Sequence, residues 1–245
     1  MARRRFFVDG FHHQRAEVEG DEAHHLTRVL RVERGQLYEV SNNEEAWLAE
    51  VVEAHKARVV FTLKERVEAK PVLPPLRLYV ALFKFDHLEW IVEKGTEMGA
   101  ESIHFVVSER SEKGLDRAAE KRIERWRKIA LEASQQSRRD RLPVLHEAVR
   151  LREAAGAAQE TRLLLDEEGG APLLSTMQAS GAAEGVSLLL GPEGGWTEQE
   201  RDWLVAKGWQ RVTLGATILR AETAAIAAVA VVQAVYLTSR VMEAQ

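Results

Sequence analysis

Hydrophobic positions change their rhythm once along this chain, near residue 70. Before that point the apolar residues come in short runs of strand length, separated by polar and turn-forming residues. Residues 5–8, 37–41, 46–53 and 58–64 each read as a strand, and Val51, Val52, Val59, Val60 and Phe61 suit half-buried β structure. Asn42 and Asn43 mark a turn. One helical patch interrupts the strands: His24, His25, Leu26, Val29 and Leu30, with Asp21 placed to cap it. Short strands and one small helix predict a compact β-barrel. Pro71, Pro74 and Pro75 then fit neither a ladder nor a helix interior. We place a domain boundary near residues 68–76, giving segments 1–70 and 74–245.

Beyond the prolines, strand and helix patterns alternate. Residues 76–83 form an apolar run, and Asp86 can cap a helix that runs to Met98 and stops at Gly99. Residues 103–107 follow as a strand. Residues 117–138 predict a long amphipathic helix, with Ile123, Trp126, Ile129, Ala130 and Ala133 on one face. Further strand–loop–helix units have strands near 163–165, 187–190 and 211–214. This alternation predicts an α/β domain with a mainly parallel sheet. The final apolar run AAIAAVAVVQAVYL, 224–237, is short and alanine-rich for a membrane span and reads as a buried or interface helix.

Composition narrows the chemistry. The net charge of -4 over 245 residues gives no whole-chain attraction to nucleic acid, so any such argument is local. With no cysteine, disulfides, a thiolate nucleophile and a cysteine-ligated zinc site are excluded. The basic start MARRRFFVDG has no apolar stretch after it and does not read as a signal peptide. His12, His13, His24 and His25 lack carboxylates at ligand spacing, so no metal site is expected. Of the adjacent His24 and His25, one should pack and the other face solvent.

Ligands of open parallel sheets bind beyond the carboxyl ends of the strands. Three predicted strand ends carry glycine-containing loops: LLLDEEGG, LLLGPEGG and TLGATILRAET. In the central loop, Gly191, Pro192, Glu193, Gly194 and Gly195 turn the chain, and Thr197 with Glu200 forms a capping box. No Gly-Lys-Ser/Thr or GxGxxG follows, and Glu193 is wrong for a phosphate cradle, though it suits a cationic or hydroxyl-bearing ligand. A plain tight connection is the competing reading. Arg220 and Glu222 sit where the third loop enters the last helix. Glu222 suits the helix macrodipole, and Arg220 is placed to orient substrate or stabilise charge. A basic stripe of Arg117, Lys121, Arg122, Arg125, Arg127, Lys128, Arg138, Arg139 and Arg141 could hold phosphates, or be a solvated helix face paired with its own glutamates. Arg3, Arg4 and Arg5 form a second basic cluster or a frayed end.

Two segments in order, LLLGPEGGWTEQE at 188–200 and LGATILRAETAAIAA at 214–228, carry a specific likeness. Weaker support comes from HHLTRVLRVERGQ at 24–36, VEKGTEMGAESI at 92–103, SERS at 108–111 and RWRKIALEASQQS at 125–137. By these the chain resembles the bacterial 16S ribosomal RNA uridine-N3 methyltransferases of the SPOUT superfamily. The resemblance implies a PUA-like barrel, then an α/β domain whose last segments form a trefoil knot. It implies S-adenosyl-L-methionine as methyl donor, contacted mainly through loop backbone at Leu165, Asp166, Leu190, Gly191, Glu193, Gly194, Gly195, Leu214, Gly215, Ile218, Leu219, Arg220 and Thr223. It also implies a cytoplasmic homodimer joined through the last helix, with no membrane association. The substrate would be one uridine of 16S rRNA within the 30S particle; a knotted methyltransferase acting on tRNA or ribose 2′-hydroxyls and a non-catalytic RNA-binding assembly factor are the alternatives. For methylation at N3 we expect Arg220 and Arg139 to orient or electrostatically stabilise the uracil, with Glu222 as a polar orienter or the weaker candidate for a base, and a hydroxide or water route equally compatible. Ala216 and Thr217 depart from the Pro-Arg common in that family, and Arg138 stands where it usually has glycine.

Overall fold

The computed structural model describes residues 4–69, 73–158, 160–180 and 184–243. Arg3, Pro71 and the middle of the expected boundary lie outside the described residues. The chain forms two compact units, one of Met1–Pro71 with Leu131–Leu142, the other of Val72–Ala130 with Pro143–Gln245.

In the first unit β1 (Arg5–Phe7), β2 (Arg15–Glu19), α1 (Gly20–Arg28), β3 (Leu37–Ser41), β4 (Ala46–His55) and β5 (Arg58–Val67) build a sheet ordered β1-β3-β4-β5-β2. Its pairings are antiparallel except β1 with β3. Register shifts along β4 between Leu48 and Ala49 and between Val51 and Glu53 sharpen the twist, so the sheet curls into a half-barrel. Phe6, Val18, Leu26, Val40, Val51 and Phe61 fill its concave core. Asn43 takes the positive φ of 71° at the turn, a conformation asparagine tolerates without glycine.

Several expectations change here. Asp21 is not a cap: α1 starts at Gly20 with Glu19 in the cap position, and Asp21 lies in its first turn, where a carboxylate meets the helix dipole equally well. Val29 is exposed, and His24 and His25 are both half-buried rather than divided between core and solvent. Arg5 is not frayed. It is buried, donates from Nε to Glu39 at 3.0 Å and from Nη1 to the Arg139 carbonyl at 3.0 Å, and pairs with Asp140. Ser41 donates to the Asp140 carbonyl at 3.1 Å, and the Leu142 amide donates to Asn43 at 2.9 Å. These bonds hold residues 139–142 to the half-barrel.

The second unit runs β6 (Leu76–Ala81), α2 (Phe85–Glu97), β7 (Ser102–Val107), α3 (Leu115–Ser137, counted here to Ala130), β8 (Val144–Arg150), α4 (Leu151–Ala157), β9 (Thr161–Leu165), β10 (Ala171–Pro172), α5 (Leu173–Ser180), β11 (Val186–Leu190), α6 (Glu198–Ala206), β12 (Gln210–Thr213) and α7 (Ala221–Glu243). Its sheet, ordered β10-β12-β9-β11-β6-β7-β8, is parallel throughout. Every residue of β11 is buried, as a central strand covered on both faces requires. Leu78, Val80, Phe105, Leu163 and Leu188 pack with Trp126, Val229 and Val232 in one core, and Tyr79, Ala81, Val106, Leu164 and Leu189 pack with Leu151, Leu204 and Trp209 in another. Asp86 is again a first-turn residue, with Lys84 at the cap.

Tyr79, His104 and His146 stand side by side on β6, β7 and β8 and stack at 4.3 and 4.0 Å between ring centroids. Burial, and then the neighbouring His146, push the His104 imidazole down to about 4. The stretch Ala221–Ser239 is long and apolar enough to span a membrane by composition, but Ala225, Ala228, Val229, Val232 and Tyr236 pack into the unit's core.

Candidate functional site

The strand order reverses direction around β9 and β11, and there the carboxyl ends of β9, β11 and β12 open onto a cavity of about 730 Å³. Loops at such a switch point have backbone groups free to face a ligand. The lining joins the first loop (Leu165, Asp166, Glu167), the second (Leu190 to Gly195) and the third (Val212 to Glu222).

The first two loops are bound to each other. Trp196, fully buried, donates from Nε1 to the Leu165 carbonyl at 3.2 Å. Gly195 adopts φ +67°, and a Cβ there would fall 1.9 Å from Glu167 Oε1. Glycine therefore suits this left-handed turn, where a Cβ would displace the flexible end of the Glu167 side chain. At Gly191 a Cβ would press on the Trp196 ring at 3.0 Å. Asp166 contributes little side chain to the cavity: its buried carboxylate accepts from Arg211 Nε at 2.7 Å, Arg201 Nε at 3.3 Å and the Glu168 amide at 3.0 Å. Its amide donates to the Val212 carbonyl at 3.1 Å.

The expected capping box is present. Thr197 Oγ1 accepts from the Glu200 amide at 3.2 Å, and Glu200 Oε2 accepts from the Thr197 amide at 3.0 Å. The other Glu200 oxygen accepts from the Glu109 amide at 2.8 Å, and Arg110 Nη1 donates to the Gly194 carbonyl at 2.5 Å. The SERS segment thus buttresses the second loop from outside.

The third loop differs. Gly215 through Arg220 are exposed, Ile218 by 82%, and short-range bonds join Thr213 Oγ1 to the Gly215 backbone. Arg220 is on this exposed lining. Glu222 is buried at the start of α7, and its Oε2 has no hydrogen-bond partner. Thr223 is exposed and outside the lining. Arg139 belongs to the other unit, where its Nε donates to the Arg141 carbonyl at 3.0 Å, and it is not a lining residue. Part of the basic stripe is already paired: Arg125 and Arg122 bond Glu89, whose carboxyl Arg125 holds below the usual range, and Arg127 pairs with Glu124.

Lys84 and His87 were not foreseen, yet both line the cavity. Their signal was positional: they follow the central strand β6 at the sheet's carboxyl edge. Lys84 Nζ lies 3.3 Å from Glu193, and His87 Nδ1 lies 3.6 Å from both Glu193 and Glu222.

Known protein families match the chain in two stretches. Residues 68–233 match the RNA methyltransferase domain, and residues 18–64 match the RNA methyltransferase PUA domain. Ribosomal RNA small subunit methyltransferase E of Mycobacterium tuberculosis is 34% identical over 236 residues, covering 92% of this chain and 87% of that protein. Its counterpart from Synechocystis is 33% identical over 219 residues, covering 86% and 70%. The crystal structure of the Neisseria gonorrhoeae enzyme of that name, bound to S-adenosyl methionine, superposes with a TM-score of 0.87 at 27% identity, covering 96% of this chain and 98% of that one. A Legionella pneumophila protein solved with the same ligand gives 0.84 at 26% identity over 96% and 98%. On the extent of the domain match and of the sequence shared with these relatives, the chain belongs to the ribosomal RNA small subunit methyltransferase E family.

Proposed function

We propose that this chain uses S-adenosyl-L-methionine to methylate N3 of one uridine in 16S ribosomal RNA. The observation that carries this reading is the cavity at the ends of β9, β11 and β12, walled by loop backbone and holding a buried, unpartnered carboxylate at Glu222. In the same reading residues 1–70 are the RNA-binding domain and 74–245 the methyltransferase domain, with the last segments threaded as a trefoil knot. The working form is a cytoplasmic homodimer on the 30S particle.

The residues present fit this donor. The volume suits a ligand of its size. Leu165, Leu190, Val212, Leu214 and Leu219 offer apolar contact, and the carboxylates of Glu193 and Glu222 offer a counter-charge to a cation. Gly191 leaves room for the buried Trp196 ring, and Gly195 allows the left-handed turn beside Glu167. When bound, the sulfonium supplies an electrophilic methyl group. The chain's part is to hold donor and acceptor in contact, and to deal with the N3 proton, which makes neutral uridine a poor nucleophile. Arg220, exposed on the lining, orients the uracil and stabilises the charge that develops as the proton leaves. N3 is a Watson–Crick edge atom, so the base must be unpaired or flipped out to react. Arg139 serves on the RNA side.

Single-turnover methylation of 30S particles by Arg220→Ala, with donor affinity measured separately, tests this. We expect donor binding within about threefold of wild type and a rate loss of about 10²-fold or more. An unchanged rate removes Arg220 from the chemistry.

A further inference from the structure

His87 is the one imidazole among the cavity's lining residues, and it stands between two carboxylates from different parts of the chain. Its Nδ1 is buried and without a hydrogen-bond partner, and so is Oε2 of Glu222, 3.6 Å away. That separation is too long for a hydrogen bond. Leaving both atoms unpaired inside a protein is costly, and a small turn of the ring closes the gap. Glu193 competes poorly for the ring. Its side chain is 42% exposed, against 7% for Glu222, and its other oxygen faces Lys84 Nζ at 3.3 Å.

We propose that His87 is the base that accepts the uridine N3 proton, with Glu222 as the positioning residue that holds Nδ1–H and so presents Nε2 as the acceptor. The proposal rests on the methyl transfer argued above. A carboxylate on one ring nitrogen fixes the tautomer and leaves the lone pair on the other. The side chain is 31% exposed while Nδ1 is sealed, so its open part is the edge away from the carboxylates. The N3–H bond breaks to Nε2, leaving its electron pair on N3. That pair forms the bond to the methyl carbon as the carbon–sulfur pair departs to sulfur, and the imidazolium then gives its proton to water. Other charged groups bearing on the ring are Lys84 and Asp86 on its own turn and Arg220 and Glu167 across the lining.

Two readouts test this, one independent of turnover. Nitrogen-15 histidine NMR on the ligand-free protein should show neutral His87 protonated on Nδ1, and Glu222→Gln should shift the balance toward Nε2–H. An Nε2-protonated ring in wild type, or a tautomer unmoved by Glu222→Gln, overturns the pairing. In single-turnover assays the wild-type rate should rise with pH and level once imidazole is neutral. His87→Gln, folded by circular dichroism and binding donor normally, should lose about 10²-fold and rise with hydroxide without a plateau. A His87→Gln rate within about twofold of wild type, or one that keeps the plateau, overturns the base assignment; so does a Glu222→Gln loss far exceeding that of His87→Gln. Transfer by wild type to an atom other than N3 would instead strike the proposed function, while the NMR result still decides the pairing.

Discussion

The first and second loops of the site and the third loop occupy one cavity but are built differently. Residues 165–168 and 191–197 are held by Trp196, the Arg201–Asp166–Arg211 group, the capping box and the Arg110 bond, so their geometry exists before any ligand arrives. Residues 215–220 are exposed, Ile218 by 82%. A preformed wall binds without paying again for ordering, whereas an open loop loses backbone freedom when a ligand fixes it, about 1–2 kcal/mol per residue at most. On the proposed function, the difference means that two loops set where the donor sits and the third sets how tightly it and the substrate are closed in. Amide exchange should therefore be slow without ligand at Asp166, Gly195 and Thr197, whose amides donate to the Val212 carbonyl, the Pro192 carbonyl and the Glu200 carboxylate. It should be fast at 216–219 until the donor is added. Fast exchange in all three loops would erase the distinction.

Mutations can break it from either side. The largest effect should come from Arg201→Met, which strips a buried cation from buried Asp166. Arg211 and the Glu168 amide remain, so we expect about 3 kcal/mol lost in denaturant unfolding, with weaker donor binding. Gly195→Ala comes next. Its positive φ costs about 1–2 kcal/mol, and its Cβ displaces the Glu167 carboxylate, so calorimetry should show donor affinity reduced about five- to tenfold. Gly194→Ala, where a Cβ meets Arg110 at an ordinary 3.5 Å, should change affinity by less than about threefold. If the two alanines behaved alike, the wall would not depend on that contact. Glu200→Ala should cost about 1 kcal/mol by removing the cap and freeing the Glu109 amide.

Acid should act on the sheet rather than on either kind of loop. His104 titrates near 4 when folded and near 6.5 unfolded, so below 6.5 the unfolded chain binds the extra proton. Its contribution is whole above about 6.5 and is lost as pH falls toward 4. Discounted for partial exposure, it is on the order of 1 kcal/mol. His104→Phe should flatten that part of the stability–pH curve. The smallest stability change, under about 0.5 kcal/mol, belongs to Ile218→Ser, which should nevertheless weaken donor or substrate binding several-fold.

Legibility in the sequence followed the same line between local and distant causes. The capping box at Thr197 and Glu200 was readable because both partners lie within one turn. The strands ending at Leu165 and Leu190 were readable because central strands are apolar on both faces. β2, with its alternation of Ala16 and Val18 among charges, and the edge strand β8, with its polar residues, offered too little apolar pattern to be found. Asp21 and Asp86 were misplaced as caps because an aspartate two positions into a helix serves the dipole just as well. His87 and Lys84 were missed because nothing beside them in the chain marks them; only the neighbourhood of β6 and β11 brings them to Glu193 and Glu222.

The most direct test of the account is to incubate the purified protein with isotopically labelled S-adenosyl-L-methionine and 30S particles, then identify the labelled nucleoside in digested 16S rRNA by mass spectrometry. The account predicts one labelled product, N3-methyluridine, at a single position, and none after Arg220→Ala within the wild-type half-time. Label on a ribose, on another base or on tRNA alone, or no label with a folded protein that binds the donor, would contradict it.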